Sequence, residues 1–159
     1  MFRIGHGYDV HKISTQNKPL ILAGIEVLAP FSLEAHSDGD IVLHALTDAL
    51  LGAAALGDIG QHFPDTDPAH KNRASKDFLL HAQKNVVSLG YQISNIDITV
   101  VAQVPKLAPY INEMCQSIAS LLQLKLNQVN IKATTTEKLG FIGRKEGLAC
   151  YAVALIYQP

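Results

Sequence analysis

Residues 5–11, GHGYDVH, set two glycines, two histidines and an aspartate into a stretch otherwise patterned as a strand. Alternation along a strand puts Arg3, Gly5, Gly7, Asp9 and His11 on one face, with Ile4, His6, Tyr8 and Val10 on the other. Asp9 and His11 therefore point the same way. A carboxylate and an imidazole so placed can share a metal ion, or can be a polar edge and no more. Gly5 and Gly7 weaken a strand, and such glycines mark a close approach of backbone or ligand. His44 offers a third donor from inside the apolar run IVLHALTDALLGAAAL at 41–56. Together the three would give one carboxylate oxygen and two imidazoles, with a fourth tetrahedral position open, as catalytic zinc requires. The competing reading is a core histidine satisfied by a hydrogen bond, since an unpaired one carries a desolvation cost. Asp48, one turn further on, could accept the other ring N–H of His44, or could serve a neighbouring chain.

Three further stretches carry polar side chains in unusual density. HSDGD at 36–40 puts His36, Ser37, Asp38 and Asp40 ahead of the apolar run, where free helix N–H groups would suit phosphate or simply be capped. In GDIGQHFPDTDP at 57–68, Asp58, Asp65 and Asp67 could bind polyol hydroxyls or hold a cation; a solvated turn is the alternative. The calcium-loop spacing is absent. In ATTTEKLGFIGRKEG at 133–147, threonine hydroxyls could line a diphosphate while Glu137 reaches a bridging divalent ion. A Thr-rich edge and turn is equally consistent with it, and Arg144 could bind an anion or pair with Glu146.

Elements must bring these groups together. A strand is expected over 2–10, and a pair of short strands over 20–28 turning at Ala23-Gly24. A helix should run from Asp40 to about Leu56 with Ser37 or Asp38 as cap, apolar almost all round and so buried on every side. Residues 57–74 read as a long loop, which in a compact domain is usually functional or mobile. A second helix is expected from Ser75 to Leu89, stopped by Gly90. A half-buried strand follows over 96–102, then a helix whose first turn holds Pro109, then strands at 129–133 and 148–157. The irregular alternation favours an α+β fold, an α/β sandwich whose mixed β-sheet carries helices on one face, as one domain over 1–159.

Bulk composition narrows the function classes. The 159 residues are 48% hydrophobic and only 17% charged, against a usual ~25% charged, so burial of more than one surface, and oligomerisation with it, is expected. A net charge of −1 argues against a nucleic-acid binder. No apolar run reaches the ~18 residues of a membrane span, and no targeting segment is evident, so a cytoplasmic protein is expected. Cys115 and Cys150 read as buried free thiols.

Taken together, RIGHGYDVH at 3–11, HSDGDIVLHALTDALLGAAALGDIGQHFPDTDP at 36–68, AQVPKLAPYI at 102–111 and VNIKATTTEKLGFIGRKEG at 129–147 resemble the 2-C-methyl-D-erythritol 2,4-cyclodiphosphate synthase family, in order along essentially the whole chain. The resemblance implies cyclisation of 4-diphosphocytidyl-2-C-methyl-D-erythritol 2-phosphate with release of CMP, in non-mevalonate isoprenoid biosynthesis. It implies zinc on Asp9, His11 and His44, and magnesium or manganese on Glu137. His36 and Thr135 match transition-state-stabilising positions, and Ser37 contacts phosphate beside Val10. Asp58, Ile59, Gly60, Phe63, Pro64, Asp65, Thr66 and Asp67 match the wall around the methylerythritol; Thr134 and Thr136 flank Thr135 at the diphosphate. Ala102, Gln103, Val104, Pro105, Lys106, Leu107 and Ala108 match a cytidine pocket supplied by a neighbouring subunit. A homotrimer is implied, with sites between subunits and an axial channel near Phe141 and Arg144 that takes isoprenoid diphosphates. On this reading Gly5 and Gly7 clear the way for substrate to reach the zinc, and His6 has no assigned role. A zinc phosphohydrolase and a non-enzymatic isoprenoid-diphosphate-binding trimer are the competing functions.

Overall fold

The computed structural model describes residues 1–64 and 73–159. Its strands are β1 (Phe2–Ser14), β2 (Leu20–Leu22), β3 (Ile25–Val27), β4 (Ser32–Leu33), β5 (Gln92–Val101), β6 (Val129–Thr134) and β7 (Gly147–Tyr157). Its helices are α1 (Ile41–Ala53), α2 (Ile59–His62), α3 (Ser75–Ser88), α4 (Ile111–Leu122) and α5 (Gly140–Gly143). Among the described residues a mixed five-stranded sheet runs β4-β1-β7-β5-β6, and β2 and β3 form a separate hairpin. Neighbours are antiparallel except β5 and β6, which are parallel. This is the α+β architecture expected from the sequence.

Period-two patterning decides which face of the sheet is inside. In β5, Ile96, Ile98 and Val100 are buried, and in β7 Leu148, Cys150, Ala152, Ala154 and Ile156 are buried. That face carries α1, which packs on β1 and β7, while α3 packs on α1 and α4 lies against β6. Among the described residues the opposite face is covered only where Ile142 of α5 buries Val101 and Ala149; Ile4, Tyr8, Val10 and Tyr151 remain exposed large hydrophobics along β1 and β7.

α1 is the centre of the molecule. Ten of its thirteen residues are buried, as its apolar sequence requires, and the cover comes from β1, β7 and α3 of the same chain. Its burial is thus complete without a partner, and the surface that invites one is the bare sheet face instead. The start of α1 differs from expectation too, because its cap is Asp40 rather than Ser37 or Asp38. The fully buried carboxylate accepts from Val42 and Leu43 N–H at 3.1 Å, and also from Ala23 N–H at 2.9 Å and Gly24 N–H at 2.6 Å. One side chain therefore caps the helix and staples the β2–β3 turn to it. Burial pushes the Asp40 carboxyl up to about 6, against the lowering effect of those N–H groups.

Gly5 and Gly7 have a different reason from the one the resemblance suggested. A Cβ on Gly7 would run into the Ala45 carbonyl oxygen, and one on Gly5 into the Ala49 carbonyl oxygen and the Ala53 nitrogen. The space they leave is filled by the backbone of α1, not kept open for substrate. Close approach of α1 to β1 is what carries His44, on α1, to Asp9 and His11, on β1.

Candidate metal centre

Asp9 and His11 leave β1 on the face turned to α1, and His44 leaves α1 one turn after its cap. Asp9 Oδ2 lies 3.0 Å from His44 Nδ1 and 3.2 Å from His11 Nδ1. One ligand atom from each residue falls within 4.8 Å of the others, so the three form a group that could hold a metal ion. The donor set suits one. His11 Nδ1 is buried and, although it lies 3.2 Å from Asp9 Oδ2, it has no hydrogen-bond partner among the described residues. Burial would raise the Asp9 carboxyl, but the two imidazoles beside it outweigh that and hold it below the ordinary range. Burial would lower His11, and the adjacent Asp9 carboxylate outweighs it and raises the imidazole instead.

The triad stands in the wall of an open cleft of about 870 Å³. Of the residues expected in a site, Asp9, Val10, His11, His36, Ser37, His44, Ile59, Gly60 and Phe63 line it together. Asp58 does not line the cleft; its carboxylate caps α2 through the Gln61 N–H at 3.0 Å. Pro64 follows Phe63 beyond the cleft lining. Asp65, Thr66 and Asp67 lie outside the described residues.

Asp48 does not serve His44. Its carboxylate accepts the Ile59 N–H at 2.8 Å and so ties the start of α2 to α1. The far nitrogen of His44, Nε2, meets Ser75 Oγ at 2.8 Å. Ser75 escaped sequence reading because a serine opening a helix looks like an ordinary cap. His62 and His81 were missed for a similar reason, as surface-like histidines on short and amphipathic helices. His62 Nε2 lies 2.8 Å from the Leu56 carbonyl, and its Nδ1 lies 3.2 Å from His81 Nε2, behind the Phe63 wall. Lys12 and Lys18 also line the cleft and bring cationic charge that no motif signalled.

The remaining expected residues gather elsewhere in the chain. Ala102 N–H donates to the Thr134 carbonyl at 2.9 Å, and Lys138 N–H donates to Gln103 Oε1 at 3.1 Å. The segment from Ala102 through Val104, Pro105, Lys106 and Leu107 to Ala108 thus adjoins the loop of Thr134, Thr135, Thr136 and Glu137. In that loop Glu137 N–H donates to Thr135 Oγ1 at 3.2 Å. None of these residues lines the triad's cleft. Phe141 and Thr136 line a second, smaller pocket of about 210 Å³ with Tyr8 and Tyr151. Arg144 is turned to Glu146, which accepts from its Nε at 3.1 Å and from Nη2 at 3.2 Å. His6 lies on the other face of β1, its ring 6.1 Å from that of Tyr151.

Fold and site define an α+β protein with a two-histidine, one-carboxylate centre between a glycine-bearing strand and a buried helix. Residues 2–157 match the YgbB family model. The chain is 58% identical to the 2-C-methyl-D-erythritol 2,4-cyclodiphosphate synthase of Francisella philomiragia subsp. philomiragia over 155 residues, covering 98% of each chain. It is 59% identical to that of Haemophilus ducreyi over 156 residues, 98% of this chain and 97% of the other. Among solved structures, a CDP complex of IspF from Plasmodium falciparum aligns at TM-score 0.87 and 36% identity, over 99% and 96% of the two chains. The bifunctional IspDF of Campylobacter jejuni aligns at TM-score 0.94 and 49% identity, where this chain covers 42% of the larger one. The chain belongs to the YgbB family of 2-C-methyl-D-erythritol 2,4-cyclodiphosphate synthases.

Proposed function

We propose that this chain cyclises 4-diphosphocytidyl-2-C-methyl-D-erythritol 2-phosphate to 2-C-methyl-D-erythritol 2,4-cyclodiphosphate, with Asp9, His11 and His44 as zinc ligands and Glu137 as the protein ligand of a magnesium or manganese ion. The activity is that of its curated relatives. The observation that carries the site assignment is the juxtaposition of the three donor side chains in the wall of the large cleft, one of them bearing a buried nitrogen that has no hydrogen-bond partner among the described residues.

In the reaction a 2-phosphate oxygen forms a bond to the β-phosphorus of the same molecule, and the bond from that phosphorus to the CMP oxygen breaks. No protein nucleophile is required. The difficulty is the approach of one anion to another and the spread of charge over phosphoryl oxygens. Bound divalent ions would supply positive charge to those oxygens, which a chain of net charge −1 lacks in bulk. His36 and Ser37, which line the cleft beside the triad, would donate to a phosphate there. Ile59, Gly60 and Phe63 would enclose the methylerythritol. Enclosing both reacting groups adds a proximity contribution.

The cytidine pocket at 102–108 and the diphosphate loop at 134–137 adjoin each other but not the triad's cleft, which supports a homotrimer whose sites form between subunits. The bare apolar face of β1 and β7 supports the same assembly. The pocket beside Phe141 supports an axial channel for an isoprenoid diphosphate. No described helix is long and apolar enough to cross a membrane, and free Cys115 and Cys150 agree with a reducing, cytoplasmic setting.

His44→Ala tests the ligand set. Metal analysis of the purified variant should find zinc lost, and turnover should fall by about a thousandfold or more, the several kcal/mol expected of a metal that stabilises transition-state charge. Full activity in a zinc-depleted variant would overturn the assignment.

A further inference from the structure

Ser75 is fully buried at the first turn of α3, and its hydroxyl is held between Asp38 and His44. Asp38 Oδ1 receives that hydroxyl together with the Asp40 N–H at 3.2 Å, and Asp38 Oδ2 receives the Ser75 backbone N–H at 3.0 Å. An ionised carboxylate only accepts, and a serine hydroxyl has one proton to give. Given to Asp38, that proton is not available to His44. The 2.8 Å contact between Ser75 Oγ and His44 Nε2 must then be made by a lone pair of Oγ, with the hydrogen on Nε2. His44 Nδ1, on the other side of the ring, faces Asp9 Oδ2 at 3.0 Å. A neutral imidazole beside a carboxylate would by default keep its single proton on Nδ1 and donate it to Asp9. Such a histidine has no free electron pair at Nδ1 for a metal.

We propose that Asp38 and Ser75 form a relay that holds the His44 proton on Nε2, leaving the Nδ1 lone pair directed into the centre. The inference rests on the reading of Asp9, His11 and His44 as zinc ligands and adds two positioning residues that act through His44. It also gives HSDGD at 36–40 a second task beside phosphate: Asp38 is the terminal acceptor of the metal centre. A purely structural role is the rival, in which Asp38 only ties the start of α3 to the segment before α1. Ser75→Ala separates the two, because it removes the hydroxyl and leaves the backbone N–H bond to Asp38 in place.

Zinc affinity of the full-length protein, measured by competition with a chromophoric chelator, should fall about 10–100-fold in Ser75→Ala, the cost usual for losing such an outer partner. Ser75→Thr, which keeps a hydroxyl, should recover it. Nitrogen-15 NMR of the metal-free, histidine-labelled protein reads the tautomer itself. The wild type should carry the His44 proton on Nε2, and Ser75→Ala should shift it toward Nδ1. Unchanged zinc affinity in folded Ser75→Ala would overturn the relay. So would a wild-type His44 protonated chiefly on Nδ1, a measurement that needs no variant to fold. A wild type that binds no zinc would instead remove the ligand set, while the tautomer would still judge the relay.

Discussion

A carboxylate two residues before an imidazole is common, and a histidine inside an apolar helix is usually a satisfied core residue. What distinguishes Asp9, His11 and His44 is that satisfaction fails at one atom: His11 Nδ1 is buried with no hydrogen-bond partner among the described residues, and both imidazoles crowd one carboxylate oxygen. The residue types were legible in sequence, and the expectation that they meet rested on the resemblance, since spacing alone says little about residues 35 positions apart. The supporting partner was misread for the same reason. Helical spacing pointed to Asp48, one turn away, whereas His44 Nε2 turns to Ser75, 31 positions on and from another helix. Glu137 is the residue whose role is most separable by experiment. It stands away from the zinc triad in the chain, so Glu137→Gln should keep full zinc content while raising the magnesium concentration needed for half-maximal turnover by about tenfold or more. Replacing a charged oxygen ligand by a neutral one costs roughly that much. An unchanged magnesium requirement would count against Glu137 as a ligand.

Strand β1 and helix α1 form the element pair on which the site depends. The sequence announced each one separately: alternation for β1, an all-round apolar run for α1. It also announced, through Gly5 and Gly7, that something comes close to β1. Whether that was backbone or ligand could not be decided from glycine alone, because both demand the absence of a side chain. The helix is the answer, and it links packing to function. Gly7→Ala forces a methyl into the Ala45 carbonyl. Overpacking of that kind costs roughly 1–3 kcal/mol, and more where backbone must move. Thermal denaturation of the metal-free variant should register that loss. Zinc affinity should fall with it, since moving α1 off β1 to relieve the clash carries His44 away from Asp9. A variant destabilised yet binding zinc as tightly as wild type would show that the helix yields elsewhere.

At the scale of the whole molecule, low charge and high hydrophobicity suggested a second buried surface without saying where it lies. α1 is covered by its own chain, and the surplus lies on the outer face of the sheet, with Ile4 71% exposed and Tyr8, Val10 and Tyr151 beside it. Composition counts apolar residues without saying which face they occupy; only strand order and register do that. If this face is the core of the proposed homotrimer, Ile4→Glu should dissociate it, because an unpaired buried charge is strongly disfavoured at an interface. Analytical ultracentrifugation should find folded monomers that keep zinc but have lost cyclisation, the proposed cytidine pocket at 102–108 now being absent from each site. A trimer that persists, or a monomer that still turns over, would contradict the shared-site assembly. The measurement that bears most directly on the account as a whole is phosphorus NMR of the purified protein with zinc, magnesium and 4-diphosphocytidyl-2-C-methyl-D-erythritol 2-phosphate. Cyclic diphosphate appearing in step with an equal amount of CMP is the expected result; an acyclic phosphate product, or binding without turnover, would contradict it.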